Sequence, residues 1–81
     1  LLFIQLLYTM KKIKKIKIKV NGKITTIFDK FLLAKLIKDL KIPLTKVAIE
    51  LNKEILDKKK INKIKLNNND QIEIVHFIGG G

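Results

Sequence analysis

The fold is decided by residues 15–28, which read KIKIKVNGKITTIF. Over Ile16–Val20 apolar residues alternate with lysine, and this period of two places them on opposite faces of a strand. The pair Asn21-Gly22 follows at once, and both residue types tolerate the positive φ angles of a type I′ turn. The stretch therefore predicts a β-hairpin whose second strand covers Lys23–Phe28.

One helix is predicted after the hairpin. Asp29 is suited to cap a helix N-terminus with its side chain, and Pro43 ends a helix because it lacks an amide donor and restricts the residue before it. We therefore expect a helix over residues 30–41. Its apolar stripe has the i, i+3, i+4 and i+7 spacing of one helical face and consists of Leu33, Leu36, Ile37 and Leu40.

A third strand is predicted over residues 47–51, where Val, Ile and Leu alternate with other residues. Residues 54–56 should pair briefly with it. Residues 57–65 then form a lysine-rich connection in which we expect Ile61 and Ile64 to turn inward.

The last strand is predicted over residues 71–77. The turn before it contains Asn69, and asparagine is the residue other than glycine that best tolerates left-handed backbone. The element order predicts an α+β, β-grasp fold: a mixed sheet of four to five strands with one main helix packed across it. We expect the helical stripe to pack against Ile18, Val20, Ile49, Ile72 and Ile74.

Composition excludes several classes of site. The 81 residues include no cysteine, which removes disulfides, thiolate ligands and a cysteine nucleophile. His76 is the sole histidine and cannot form a metal site by itself, so no metal and no catalytic residue are predicted. The 18 basic residues are all lysine and give a net charge of +11. Because arginine is absent and the lysines are spread along the chain, we expect no nucleic-acid partner.

The first nine residues are almost all apolar. They fall short of the ~20 residues that span a bilayer, and the lysines follow the apolar run rather than precede it, unlike a secretory signal. We expect residues 1–9 to be an upstream or disordered extension, residues 10–78 a single domain and residues 79–81 a flexible glycine tail. No membrane partner is predicted.

Three blocks in the predicted strands resemble one protein family. They are residues 20–22 (VNG), residues 47–52 (VAIELN) and residues 73–81 (EIVHFIGGG). Their order and spacing resemble the ThiS family, the ubiquitin-like sulfur carriers of thiamin biosynthesis, over residues 16–81. The last block is the most diagnostic, because a strand that leads directly into terminal glycines is rare by chance.

The resemblance implies a chemical role for the last residue. In this family the α-carboxylate equivalent to that of Gly81 is adenylated and converted to a thiocarboxylate, which donates sulfur to the thiazole ring of thiamin. The implied partners are a ThiF-type adenylyltransferase, which uses ATP, a cysteine-persulfide sulfur donor, and thiazole synthase of the ThiG type. The chain itself would be a protein substrate, not an enzyme, with no bound cofactor.

The residues before Gly81 would deliver it to the partners. Gly79 and Gly80 lack a Cβ and suit a narrow channel, while Phe77 and Ile78 are expected to contact a partner. For Phe77 a core position is an equal alternative. For His76 a surface or structural role is favoured, because a lone histidine lacks the second group that acid–base catalysis needs.

Three alternatives remain open at this stage. A MoaD-type small subunit of molybdopterin synthase shares the fold, but its tail is typically Gly-Gly after a proline-containing approach. A protein modifier joined to lysines by an isopeptide bond would use the same adenylate, and a basic nucleic-acid-binding module is the third. The expected location is the bacterial cytoplasm, or the plastid stroma if the gene belongs to that organelle.

Overall fold

The computed structural model describes residues 2–12 and 14–77, with the backbone alone for residues 8–12. Its helices are α1 (Leu2–Lys12) and α2 (Leu33–Asp39), and two 3₁₀-helices cover Leu44–Lys46 and Lys58–Lys63. Its strands are β1 (Lys15–Val20), β2 (Lys23–Phe28), β3 (Val47–Leu51), β4 (Glu54–Ile55) and β5 (Gln71–His76).

Within the described residues, the strands form one five-stranded sheet in the order β2-β1-β5-β3-β4. β1 pairs antiparallel with β2 and parallel with β5, whereas β3 pairs antiparallel with both β5 and β4. The predicted mixed sheet is confirmed, and the chain's last described strand lies at its centre.

The hairpin forms as predicted. Its register pairs Ile16 with Ile27 and Val20 with Lys23. The turn residues Asn21 and Gly22 have φ angles of 50° and 79°, as a type I′ turn requires.

The core lies between α2 and one face of the sheet. The helix contributes Leu33, Leu36 and Ile37, all buried. The remaining buried residues of the core are Ile16, Ile18, Val47, Ile49, Ile61, Leu66, Ile72 and Ile74, and Val20 and Ile64 pack against them while partly buried. The predicted inward positions of the sheet isoleucines are confirmed, as are those of the two isoleucines in the lysine-rich connection.

The predicted start of the helix is wrong, and so is the cap assigned to Asp29. α2 begins three residues later, with Leu32 at the N-cap position and no hydrogen bond from a capping side chain. The preceding backbone is engaged elsewhere, because Leu32 forms a β-bridge with Lys65 and the Leu33 amide donates to the carbonyl oxygen of Ile64 at 2.9 Å. Extended backbone at the bridge cannot also be helical.

The predicted end of the helix is also wrong, and this removes Leu40 from the core. The Ile42 amide donates to the Ile37 carbonyl at 3.2 Å and the Lys41 amide to the Lys38 carbonyl at 3.0 Å. With Lys41 at a φ of 57°, these two bonds form a Schellman motif that ends the helix. The chain reverses direction there, and Leu40 is left 47% exposed.

α1 (Leu2–Lys12) includes most of the segment expected to be an upstream or disordered extension, and that expectation stays a prediction. The helix crosses the predicted boundary at residue 10. The apolar side chains described on it are largely exposed: Leu2, Phe3, Ile4, Leu6 and Leu7. Neither α1 nor any other helix in the described part of the chain is long and apolar enough to cross a membrane.

Truncating Leu36 tests the position of α2. Leu36 is 5% exposed, so Leu36→Ala should lower the free energy of unfolding by about 2–5 kcal/mol. The matched control is Leu40→Ala, which removes the same atoms from an exposed site and should cost about 1 kcal/mol or less. Urea denaturation of both variants measures the difference, and equal losses would show that the register of the helix is wrong.

Candidate functional site

The candidate site is the C-terminal end of β5. The predicted docking and reactive residues Ile78, Gly79, Gly80 and Gly81 lie outside the described residues. The structure therefore defines the strand that leads to them and the surface around its last residues.

Along one edge, β5 is hydrogen-bonded first to β1 and then to the side chain of Asn21. The parallel ladder with β1 pairs Val20 with Ile72, after which the Asn21 amide donates to the Ile72 carbonyl at 2.8 Å. The Asn21 Oδ1 atom accepts a hydrogen bond from the Ile74 amide at 2.7 Å, and its Nδ2 donates to the Ile74 carbonyl at 3.4 Å. One asparagine thus provides the hydrogen-bonding groups of a further strand residue.

A second asparagine holds the beginning of β5 in the same manner. The Asn52 amide donates to the Gln71 carbonyl at 2.7 Å, and its Oδ1 accepts from the Gln71 amide at 2.9 Å. The Nδ2 atom of Asn52 also donates to Asp70 Oδ1 at 3.1 Å. These contacts of Asn21 and Asn52 were not predicted from the sequence, where Asn21 was assigned to a turn alone. One signal in the sequence could have indicated them. Glycine would also fit at these turn positions, whereas asparagine adds a side-chain donor and acceptor that can bond to a neighbouring strand.

The last described residue is attached to two other segments. The Phe77 amide donates to the Lys46 carbonyl at 2.9 Å, and the Phe77 ring centroid lies 5.2 Å from Lys58 Nζ. Phe77 is 51% exposed, so the alternative of a core position is wrong. The docking role of Phe77 remains a prediction.

The exposed face beside β5 combines apolar and acidic side chains. Val75 is 51% exposed and pairs with Ala48 of β3, while Glu73 lies directly opposite Glu50. Like charges directly opposite each other destabilise a strand pair. No salt bridge offsets this repulsion in the part of the chain that the structure describes, where the one ion pair is Lys35–Asp39. We refer to Ala48, Glu50, Glu73, Val75 and Phe77 as the strand-end patch.

The described residues contain no group of three or more His, Cys, Asp or Glu side chains placed to hold a metal ion. His76 is exposed, which confirms its predicted surface position. What the site presents is a firmly held strand with an apolar and acidic surface at its end.

Comparison with known proteins identifies the family. The sequence model of the ThiS family matches residues 18–81. The chain belongs to the ThiS family. The thiamine biosynthesis protein ThiS of Geobacter metallireducens has a similar crystal structure, with a TM-score of 0.72 and 29% identity over 82% of this chain and 100% of that one. The β-grasp prediction is thereby confirmed.

Curated relatives bear two different names. The sulfur carrier protein ThiS of Bacillus subtilis is 51% identical over 35 residues, which cover 43% of this chain and 53% of that protein. A thiazole synthase of Paramagnetospirillum magneticum is 35% identical over 65 residues, which cover 80% of this chain but 20% of that protein. The chain therefore matches about half of the first relative and a fifth of the second.

Replacing Asn21 by glycine tests its role in holding β5. Glycine keeps the positive φ angle of the turn and loses the two side-chain hydrogen bonds to Ile74, so Asn21→Gly should destabilise the fold by about 1–2 kcal/mol. Hydrogen exchange at the Ile74 amide should accelerate more than exchange elsewhere in the sheet.

The matched control is Asn69→Gly. Asn69 also has a positive φ of 71°, and it contributes its backbone amide, which donates to the Lys17 carbonyl at 2.7 Å. Glycine keeps that bond, so this variant should change stability by about 0.5 kcal/mol or less. If the two variants behave alike, the Asn21 side chain does not hold β5.

Proposed function

We propose that this chain is a sulfur carrier of thiamin biosynthesis whose reactive group is the α-carboxylate of Gly81. The supporting observation is the ThiS family match over residues 18–81, which includes both β5 and the three glycines after it. The similar ThiS structure and the Bacillus relative agree with this proposal.

The chemistry requires an activating partner. A carboxylate is a poor electrophile, so its oxygen first attacks the α-phosphorus of ATP, which releases pyrophosphate and leaves an acyl adenylate. The sequence has no glycine-rich phosphate-binding loop of the G-x-x-x-x-G-K-[ST] kind. In the proposal, a ThiF-type adenylyltransferase binds ATP and the carrier supplies the carboxylate.

Sulfur then replaces the adenylate. The terminal sulfur of a cysteine persulfide attacks the carbonyl carbon of Gly81 and AMP leaves, which gives an acyl disulfide. A second thiol then attacks the cysteine sulfur of that acyl disulfide. The two form a new disulfide, and the S–S bond to the transferred sulfur breaks, which releases the thiocarboxylate on Gly81. The thiocarboxylate sulfur is the nucleophile that the carrier delivers.

Thiazole synthase is the proposed acceptor of the sulfur. Two proteins bearing that name contain a stretch similar to this chain, over 65 residues in Paramagnetospirillum magneticum and 36 residues at 50% identity in Magnetococcus marinus. These stretches are 20% and 11% of those proteins. These proteins therefore contain a segment similar to this chain within a thiazole synthase polypeptide. Their presence in one polypeptide supports the proposal that this chain and a thiazole synthase act together as separate proteins.

The described structure suits delivery of the tail. β5 is hydrogen-bonded on both sides, so the position from which the tail departs is defined relative to the whole domain. The strand-end patch gives a partner apolar surface at Val75 and Phe77 and negative charge at Glu50 and Glu73. Apolar residues at the centre with charges around them are typical of partner interfaces.

Deleting Gly81 tests the proposed reactive group. The shortened chain still ends in glycine, but its carboxylate lies one residue back, and an extended residue spans about 3.3–3.6 Å. Reacting atoms must be placed far more closely than that, so pyrophosphate release with an activating enzyme and ATP should fall at least about 100-fold.

The control for this deletion is its melting temperature, which should equal that of the full chain because Ile74 is the last core residue in the described part of the chain. Activation of the truncated chain at the full rate would contradict the proposed role of Gly81. Conjugates that migrate slowly on reducing gels would instead indicate a protein modifier joined to lysine side chains.

A further inference from the structure

Three segments meet where the chain leaves β5. The first 3₁₀-helix supplies the carbonyl oxygens of Leu44 and Lys46, the second supplies Lys58, and Phe77 directly follows β5. Lys58 Nζ donates to the Leu44 carbonyl at 2.5 Å and lies 5.2 Å from the centroid of the Phe77 ring. The Phe77 amide donates to the Lys46 carbonyl at 2.9 Å. We call these four residues the tail clamp.

The backbone at Lys58 is itself well anchored. Asp57 caps the second 3₁₀-helix, because its Oδ1 accepts from the Lys59 amide at 3.0 Å and its carbonyl accepts from the Lys60 amide at 2.9 Å. One turn later Ile61 is 3% exposed and belongs to the core. Lys58 is half-buried, whereas Lys59 and Lys60 are exposed.

Both contacts of the Lys58 ammonium depend on its positive charge. A hydrogen bond from a charged donor is stronger than one between neutral groups. A cation within about 6 Å of a ring centroid is attracted by the electrons of the ring face. A neutral side chain of the same length would lose both interactions and would leave Phe77 with its amide bond to Lys46.

We propose that Lys58 is a positioning residue of the sulfur-carrier reaction: it holds Phe77 and so fixes the direction in which the chain continues toward Gly81. This inference rests on the proposed function. A partner that binds the end of β5 must hold Phe77 in one position, and the free energy needed to order that side chain weakens binding. With Lys58 in place, part of that order exists before the partner binds.

Three variants separate this role from a general effect of charge. Lys58→Met removes the ammonium and keeps a long side chain, Lys58→Arg keeps the charge and the donor, and Lys59→Met removes a charge from the neighbouring exposed position. In Lys58→Met we expect exchange of the Phe77 amide to accelerate about three- to tenfold. Exchange of the Leu56 amide, which donates to Ile49 in the sheet, should not change.

The same variants are then compared as substrates of the activating enzyme. For Lys58→Met the carrier concentration that gives half-maximal thiocarboxylate formation should rise about three- to tenfold, with the maximal rate unchanged. Lys58→Arg should restore the wild-type value, and Lys59→Met should match wild type.

The two readouts distinguish failure of this inference from failure of the proposed function. Unchanged exchange at Phe77 in Lys58→Met, or an equal effect from Lys59→Met, would overturn the tail clamp whatever the enzyme assay shows. If exchange changes as expected and the half-maximal concentration does not, Lys58 is structural and the positioning role is wrong. If the wild-type chain is not thiolated at all, the proposed function fails, and with it the positioning role.

Discussion

The structure depends on keeping β5 hydrogen-bonded along both edges at the centre of the sheet. Ile72 and Ile74 are 0% and 7% exposed, and buried backbone groups that lack partners cost free energy. β3 satisfies one edge from Ile72 to His76. On the other edge β1 ends at Val20, and Asn21 continues the hydrogen bonding with its side chain. A hairpin turn near the N-terminal end of the domain therefore controls the strand that carries the C-terminal tail.

This arrangement separates the part of the molecule that folds from the part proposed to react. The core lies on the α2 side of the sheet, and among the residues that the structure describes its last member is Ile74. The opposite face and the end of β5 carry exposed Val75 and Phe77. The opposed glutamates Glu50 and Glu73 disfavour the sheet slightly, and a cationic partner surface would relieve their repulsion. Substitutions at the exposed end of β5 should therefore affect stability less than substitutions in the core.

Local patterns in the sequence predicted most of the fold. Alternation identified the hairpin and β3, and helical spacing identified Leu33, Leu36 and Ile37 as core. Leu40 was misplaced because the helix ends at a Schellman motif with Lys41, not glycine, in the left-handed position. Pro43 was the stop signal in the sequence, and it placed the end of the helix too late. The start was misplaced because the β-bridge between Leu32 and Lys65 is a long-range contact that periodicity does not reveal.

The candidate site was predictable to a smaller extent. The glycine tail was found through resemblance, and a surface or structural role for His76 was favoured because a lone histidine lacks the second group that acid–base catalysis needs. The contacts that hold the strand were not predicted, since Asn21 and Ile74 are 53 positions apart and Lys58 reaches Leu44 across 14. Neither pair forms a pattern that can be recognised along the chain.

The most direct test of the account is the intact mass of the full chain after incubation with a ThiF-type enzyme, ATP and a persulfide donor. The account predicts a product heavier by the difference between one sulfur and one oxygen, with the change assigned to Gly81 by fragmentation. An unchanged mass with an enzyme that thiolates a known ThiS protein, or a modification assigned to any other residue, would contradict it.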